Sequence, residues 1–243
     1  MTIRLFHASD LHFGAEDQAA LDWFAACVAS ERPDAVIITG DITMRARHSE
    51  YAAAAKWLTS LNVPITVEIG NHDMPYFNLI ERFRAPYRRY RAMAAMIDRP
   101  IALPGLAIIS LRTTSPAQWR FNWSKGVVRP HALSRALVDC GASPSNTLKL
   151  VAAHHPLVET GTSGTAFTHG GNRALAALTR AGVTAVLSGH VHDPFDLVHH
   201  SDAGPIRMIG AGTLSERLRT TRPSFNDLVI EADQLSVTVR AMA

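Results

Sequence analysis

The sequence predicts an α/β fold built on mixed β-sheets, and three observations carry this prediction. Short apolar runs alternate with longer amphipathic runs in the first half of the chain. Such strand–helix–strand alternation forms right-handed crossovers between parallel strands. The last two apolar runs are joined by only three residues, and so short a link requires an antiparallel hairpin. Hydrophobic residues make up 47% of the 243 positions, which predicts one substantial core and a single domain over residues 1–243.

Nine segments are predicted as strands because each is a short apolar run of the length that strands have. They are residues 3–8, 35–39, 65–69, 106–111, 148–153, 185–188, 206–209, 227–231 and 235–239. The last two form the predicted hairpin, and the others alternate with helix candidates or loops.

Helices are predicted over residues 17–30 and 50–61 and in a segment that begins after Asn172. In each of them apolar residues recur at helical spacing and form one inward face. Ser49 is the expected N-cap of the second helix, and Gly182 is expected to end the third. The inward-facing residues are Leu21, Phe24 and Val28, then Tyr51, Ala54, Ala55 and Leu58, and finally Leu175, Leu178 and Ala181.

Five short polar clusters each follow a predicted strand. They are Asp10-Leu11-His12, Gly40-Asp41, Gly70-Asn71-His72-Asp73, His154-His155-Pro156 and Gly189-His190-Val191-His192. Ligands in open α/β sheets gather outside the carboxyl ends of strands. Carboxylates, imidazoles and amides are also the mixed ligand set that first-row divalent metals favour. The sequence therefore predicts a metal-dependent active site at these strand ends.

The spacing within the clusters suits metal binding. Asp10 and His12 are separated by one residue, as are His190 and His192, and an extended segment puts positions i and i+2 on the same side. A glycine before Asp41 lets the backbone turn tightly and brings the side chain close to an ion. Any one cluster alone also fits an ordinary strand-end turn, but five in series favour the metal site.

Composition narrows the remaining possibilities. The net charge of +3 is too small to indicate a nucleic-acid partner. The cysteines Cys27 and Cys140 lack a CxxC spacing, and no secretory signal or membrane-spanning run is evident, so we expect a cytoplasmic protein. Basic residues concentrate over residues 82–91. We interpret this segment as a solvated helix face; a rim that attracts an anionic substrate is the alternative.

The order of the five clusters, DxH, GD, GNHD, HxP and GHxH, resembles that of the calcineurin-like metallophosphoesterases. The resemblance runs from Asp10 to His192. It implies a four-layer α/β/β/α sandwich in which two mixed sheets are flanked by helices. It also implies two metal ions, divalent or of mixed valence, about 3.5–4 Å apart. Mn, Fe and Zn all suit these ligands.

Each motif of the family carries a role that can be transferred to this sequence. The first metal is then expected to bind Asp10, His12, Asp41 and His192. The second is expected to bind Asp41, Asn71, His154 and His190, with the carboxylate of Asp41 bridging both ions. The family ligand stands two residues before the proline of the fourth motif, which selects His154 rather than His155.

The implied activity is hydrolysis of a phosphoester by in-line attack of a metal-bridging hydroxide. His72 is expected to face the leaving oxygen as a general acid or cationic stabiliser, and Asp73 is expected to orient it. Substrate contacts are expected from Asn71, His72, His155 and Arg217. For Arg217 and Arg219 a surface position is an equal alternative, and His169 is more typical of a surface residue.

The substrate is less sharply indicated. Residues 74–90 and 210–226 resemble, more loosely, small bacterial class III cyclic nucleotide phosphodiesterases. This favours a small phosphodiester, either a cyclic nucleotide or a glycerophosphodiester. A phosphomonoesterase or a nuclease with the same centre is the alternative. The roughly fifty residues after His192 leave little room for a large nucleic-acid-binding domain, which argues against a polymeric substrate. A non-catalytic scaffold ranks last because every ligand histidine is present, and residues 76–97 suggest either a lid or a homodimer contact.

Overall fold

The computed structural model describes residues 2–97, 101–118 and 122–243. The strands are β1 (Thr2–Ala8), β2 (Ala35–Ile38), β3 (Ile65–Val67), β4 (Leu106–Ser110), β5 (Leu148–Ala152), β6 (Ala185–Ser188), β7 (Phe195–Ser201), β8 (Gly204–Gly210), β9 (Ser224–Glu231) and β10 (Gln234–Ala241). The helices are α1 (Gln18–Glu31), α2 (His48–Ser60), α3 (Leu79–Arg84), α4 (Arg88–Ile97), α5 (Pro130–Ala142) and α6 (Gly171–Arg180).

The strands form two five-stranded sheets, and both are mixed. The first has the order β10-β9-β1-β2-β3 and the second the order β4-β5-β6-β8-β7. In the first sheet β1, β2 and β3 are parallel, while β9 pairs antiparallel with β1 and with β10. The predicted hairpin joins β9 to β10 through Ala232 and Asp233, which have φ of 45° and 62°. These values suit the tight turn that a two-residue hairpin loop needs.

The two sheets pack face to face, and helices cover their outer faces. Leu5 and Ile37 of the first sheet meet Leu150 and Leu187 of the second in the buried layer between them. Helices α1, α2 and α4 pack on the outside of the first sheet, and α5 and α6 pack on the outside of the second. The structure therefore has the four-layer α/β/β/α arrangement that the sequence predicts.

Residues 76–97 contain two helices with different surroundings. Met93 and Ile97 of α4 are buried in the same apolar cluster as α1 and α2, so this helix belongs to the outer layer of the first sheet. Phe77, just before α3, and Ile80, within α3, are each 70% exposed. Met96 of α4 is 74% exposed as well, so both helices present apolar side chains that could contact a partner.

None of the helices within the described ranges is long and apolar enough to cross a bilayer. The two cysteines, Cys27 and Cys140, are buried free thiols.

Candidate metal centre

All five polar clusters lie just beyond the carboxyl ends of strands, as the sequence predicts. Asp10, Asp41 and Asn71 follow β1, β2 and β3 of the first sheet, while His154 and His190 follow β5 and β6 of the second. Hydrogen bonds join the two sheets at this edge. The imidazole Nδ1 of His154 donates to the carbonyl of Thr39 at 2.8 Å, and the backbone amide of His190 donates to Asp10 Oδ2 at 2.8 Å. The packing of the sheets thus brings the clusters together.

The backbone is strained where the predicted ligands stand. Asp10, His12, Asp41, His190 and His192 have φ of 55°, 48°, 49°, 70° and 61°. Such left-handed conformations cost non-glycine residues of the order of 1–3 kcal/mol each and cluster at functional sites. Five of the seven predicted ligands have this strained backbone. The direction of their side chains therefore matters more here than the local stability of the backbone.

Two glycines allow the loops to approach each other. A Cβ on Gly70 would lie 2.0 Å from Asp41 Oδ1, and a Cβ on Gly189 would lie 1.7 Å from Ser9 Oγ and 2.5 Å from Asp10 Oδ2. Side chains at these positions would therefore push the carboxylates out of place. This close contact explains why glycine is the first residue of the third and fifth polar clusters.

One group of donor atoms combines Asp10, His12 and His192. The Nε2 atom of His192 is 3.1 Å from Asp10 Oδ1 and 3.3 Å from His12 Nε2. His12 Nε2 in turn lies 3.6 Å from Asp10 Oδ1 and 3.8 Å from Asp41 Oδ2. Asp41 thereby links this group to the next one.

The second group forms around the other side of Asp41. The Nε2 atom of His154 is 3.4 Å from Asp41 Oδ2 and 3.1 Å from Asn71 Oδ1. The ring of His190 lies 5.2 Å from that of His154, centroid to centroid. Asp41 therefore occupies the position between the two groups that the bridging role requires.

These donors fit metal ions better than they fit one another. Asp10 Oδ1 and His12 Nδ1 are buried and have no hydrogen-bond partner, and buried polar atoms left unpaired are costly. The side chains of Asp10 and His12 are fully inaccessible to solvent. A cation held among these carboxylate and imidazole groups would satisfy Asp10 Oδ1, whereas His12 meets the other donors through Nε2 and not through Nδ1. The donor chemistry is that of Mn, Fe or Zn sites.

Backbone carbonyls fix the orientation of two of the imidazoles. His154 donates through Nδ1 to Thr39, and His192 donates through Nδ1 to the carbonyl of Arg217 at 2.6 Å. Because a carbonyl only accepts, each ring must carry its proton on Nδ1 and present Nε2 to the centre. Sequence reasoning missed these carbonyls, since backbone groups leave no signal in a motif.

At neutral pH the carboxyls of Asp10 and Asp41 and the imidazole of His190 have the protonation states that metal ligands need, whereas His154 holds a proton. Burial opposes ionisation of Asp10 and Asp41, but the imidazoles beside them, His192 and His154 foremost, hold the pKa of each carboxyl well below its usual range. Burial and the neighbouring His154 lower the pKa of His190 to about 3. Despite burial, Asp41 raises the pKa of His154 to about 9. A metal binding there must displace a proton, so affinity falls as the pH falls.

His72 and Arg217 meet at the edge of the two groups. His72 donates through Nδ1 to the carbonyl of Met44 at 2.7 Å, which leaves its Nε2 facing the site. Arg217 Nη1 lies 3.0 Å from His72 Nε2 and 3.3 Å from His12 Nε2. The structure therefore puts Arg217 in the site. Arg219 and His169, by contrast, are exposed.

Two expectations need revision. Asp73 accepts hydrogen bonds from the amides of Ile42, Thr43 and Gly70, at 3.2, 2.8 and 2.9 Å. Its carboxylate thus holds together the loops that follow β2 and β3. The carbonyl of Met44 orients His72, a role that we expected of Asp73. This difference arises because the carboxylate turns toward the chain and away from the imidazole.

The second revision concerns His155, which we expected to contact substrate. Its ring is 1% exposed. Nδ1 is 2.9 Å from Thr113 Oγ1, and Nε2 donates to the carbonyl of Ser124 at 2.8 Å. With both nitrogens engaged, His155 supports the rings of His154 and His190, which lie 4.6 and 4.4 Å away.

The clamp formed by Asp73 leads to a stability prediction. In the Asp73→Asn variant one acceptor oxygen becomes a donor that faces other donors. We expect a loss of about 2–3 kcal/mol in the free energy of unfolding, because a buried donor without a partner costs about 1–3 kcal/mol. Urea unfolding in the presence of a chelator measures this effect apart from metal binding. Asp22→Asn on the exposed face of α1 is the control, and equal unfolding midpoints for both variants would contradict the assignment.

A cavity of about 440 Å³ opens beside the two groups. Its lining includes Asn71 and His72 of the third polar cluster, together with Arg82, Trp123 and Ser124. Arg82 comes from the basic segment over residues 82–91. Two other arginines of that segment, at positions 88 and 89, form ion pairs with Glu81.

The fold and the grouped donors define a metal-binding α/β/β/α sandwich whose ligands lie at the strand ends of both sheets. The sequence identifies the family: the model of the calcineurin-like phosphoesterases matches residues 3–194, and the chain belongs to this family. Members of the family use a dinuclear metal centre, so the protein is a metal-dependent phosphoester hydrolase by family.

One protein is similar in part of its sequence, and two solved structures share the fold. A glycerophosphodiester phosphodiesterase, GpdQ, from Enterobacter lignolyticus is 36% identical over 80 residues, a stretch covering 28% of this chain and 29% of that protein. A dimetal phosphatase from Danio rerio matches with a TM-score of 0.70 at 15% identity, over 98% of this chain and 96% of its own. The purple acid phosphatase PPD1 of yellow lupin matches with a TM-score of 0.68 at 13% identity, over 99% of this chain and 52% of its own.

Proposed function

We propose that this protein is a phosphodiesterase that hydrolyses small phosphodiesters at a centre of two metal ions. The observation that carries the proposal is the convergence of the seven predicted ligands, which come from both sheets, with Asp41 between the two groups of donor atoms. Asp10, His12, Asp41 and His192 would hold one ion, and Asp41, Asn71, His154 and His190 the other. When bound, such ions activate water and neutralise charge on the phosphoryl oxygens.

The residues around the centre suit a singly charged diester. Asp10 and Asp41 are the carboxylates of the ligand set, and together they neutralise only half the charge of two divalent ions. The surplus attracts a phosphate group. Arg217 adds a fixed cation next to His12 and His72, where it would bind a phosphoryl oxygen.

His72 is the group best placed to act on the leaving oxygen. Its Nε2 faces the site while Met44 holds the opposite ring nitrogen, and His72 also lines the cavity. An alcohol bound in the cavity would have its ester oxygen near this imidazole. For this step the ring must be an imidazolium, with one proton on Nδ1 held by Met44 and the other on Nε2, and Arg217 must turn from Nε2 to a phosphoryl oxygen. The Nε2 proton would then pass to the ester oxygen and assist departure of the alcohol.

The size of the cavity and the local sequence similarity support a small diester. Cavities of about 300–1,000 Å³ hold ligands of ordinary small-molecule size, and this cavity has about 440 Å³. The stretch similar to GpdQ is short, yet that relative acts on glycerophosphodiesters by its name. Cyclic nucleotides and glycerophosphodiesters both fit this description.

A phosphomonoesterase with the same centre is the second candidate, since a dimetal phosphatase shares the fold over most of this chain. For this second function the cavity of the present protein would need to accommodate a doubly charged phosphate, which has a terminal oxygen in place of the second ester group.

Hydrolysis of bis-p-nitrophenyl phosphate and of p-nitrophenyl phosphate separates the two candidates. The protein is stripped with a chelator and then supplied with Mn²⁺. We expect no turnover of the stripped protein and a kcat/KM at least about tenfold higher for the diester, a difference of about 1.4 kcal/mol in transition-state binding. Preference for the monoester would favour the phosphatase. Absence of activity with Mn²⁺, Fe²⁺ and Zn²⁺ would refute both.

A further inference from the structure

Arg82 in α3 is a buried cation in the wall of the substrate cavity. Only 6% of the residue is exposed, although arginine is among the residues least often fully buried. The cavity that it lines also reaches Asn71 and His72. Arg82 therefore shares one continuous space with the proposed catalytic centre.

The partners of Arg82 hold its guanidinium without neutralising it. Nε donates to the carbonyl of Pro116 at 2.8 Å, and Nη1 donates to that of Pro75 at 3.1 Å. Within residues 2–97, 101–118 and 122–243, no carboxylate forms an ion pair with it. The adjacent Glu81 is paired with the arginines at positions 88 and 89. Among the residues that the structure describes, Arg82 is thus a fixed positive charge without a counter-ion.

Such a charge is unfavourable until an anion joins it. Transfer of an ionised group from water into a protein is costly unless it is paired. Burial accordingly lowers the pKa of the Arg82 guanidinium. Carbonyl oxygens offset part of this cost, but they carry no net charge. An anionic ligand would offset the rest.

The surroundings also keep the guanidinium in one orientation. It lies over the ring of Trp123, 5.4 Å from the centroid, and the indole nitrogen of Trp123 donates to the carbonyl of Gln118 at 3.1 Å. Because Arg82 already covers the ring, Trp123 supports the cation and does not offer that face to an aromatic substrate group. The next residue, Ser124, is anchored through its carbonyl by His155.

We infer that Arg82 recognises a second anionic group, a carboxylate or a phosphate, on the alcohol part of the substrate. This inference rests on the proposed function and narrows it to diesters whose leaving alcohol is itself negatively charged. The scissile phosphate would lie at the Asn71 and His72 end of the cavity. The second anion would lie at the Arg82 end, where a guanidinium fork binds carboxylate and phosphate oxygens well.

A matched set of chromogenic diesters tests the inference. The first is methyl p-nitrophenyl phosphate with a carboxylate next to the nitro group, and the second is the methyl ester of that carboxylate, which has similar size and no charge there. We expect kcat/KM of the wild-type protein with Mn²⁺ to be about tenfold higher for the carboxylate, since a charge-assisted hydrogen bond has an effect of this order. Arg82→Gln should abolish the preference, because it should lower kcat/KM for the carboxylate about tenfold more than for the neutral ester.

Arg84→Gln, on the exposed side of the same helix, is the control and should keep the preference. Thermal unfolding shows whether Arg82→Gln is folded, and the wild-type comparison is independent of any variant. Equal kcat/KM for both esters in the wild type, or an unchanged preference in folded Arg82→Gln, would overturn the inference.

Calorimetric binding of the same two esters separates this inference from the proposed function. Tighter binding of the carboxylate by the wild type, lost in Arg82→Gln, would support the anion site even without turnover. Absence of turnover would then count against the phosphodiesterase alone. Equal binding of both esters would refute the anion site whatever the activity.

Discussion

Asp41→Asn is expected to have the largest effect of any single substitution in this protein. The change keeps the shape of the side chain but removes the negative charge between the two groups of donors, 3.4 Å from His154 Nε2 and 3.8 Å from His12 Nε2. Asparagine keeps one neutral carbonyl oxygen, so the two proposed metal sites lose the carboxylate that they share and can no longer both be ligated by a charged group at this position. We expect kcat/KM for the diester to fall at least about 10³-fold, since metal ions contribute several kcal/mol to transition-state stabilisation.

Elemental analysis after dialysis against Mn²⁺ measures the metal content of the same variant. Fewer than two ions per chain are expected in Asp41→Asn. Asp202→Asn, in the exposed turn between β7 and β8, removes the same charge elsewhere and should match the wild type in both measurements. A variant at Asp41 that retains full metal content and near-normal turnover would show that the carboxylate does not bridge.

The convergence of the motifs could be predicted because it depends on two rules of local geometry. Buried apolar strands end where polar residues and glycine begin, and parallel strands end on the same side of a sheet. Asp10, Asp41 and Asn71 follow three neighbouring parallel strands, so their proximity follows from the pattern. The approach of His154 and His190 from the second sheet needed the family resemblance, since sheet packing is not encoded in any short motif.

Elements with weak patterns were not predicted. β7 is an edge strand in which exposed and half-buried residues alternate, and it includes His199 and His200. Its run of polar residues does not look apolar enough to be a strand. α5 was not predicted either, although it begins at Pro130, a residue well suited to the first turn of a helix.

The direction of individual side chains was the least predictable feature. The basic segment over residues 82–91 was interpreted as a solvated face, yet Arg82 turns inward and lines the cavity. His155 and Asp73 stand beside His154 and His72 in the sequence, but their side chains turn away from the donor groups and stabilise the loops. Neighbouring positions in a motif take opposite directions, and only the packed structure distinguishes them.

His72→Ala is expected to retain both metal ions and to lose most turnover. The ring contacts the carbonyl of Met44 and the guanidinium of Arg217, and the variant leaves every proposed ligand unchanged. General acid catalysis contributes about 10²–10⁴-fold. The loss in kcat should therefore reach this range for an alkyl diester such as a glycerophosphodiester, whose alkoxide needs a proton in order to leave.

The leaving group distinguishes a general acid from a cation that only stabilises charge. A nitrophenolate leaves without protonation, so His72→Ala should slow bis-p-nitrophenyl phosphate hydrolysis far less than alkyl diester hydrolysis. If His72 acted only on the phosphoryl oxygens, both substrates would lose activity equally, because the charge on those oxygens does not depend on the leaving alcohol. His200→Ala, on the edge strand β7, is the histidine control. Loss of metal from His72→Ala in elemental analysis would instead make His72 a ligand.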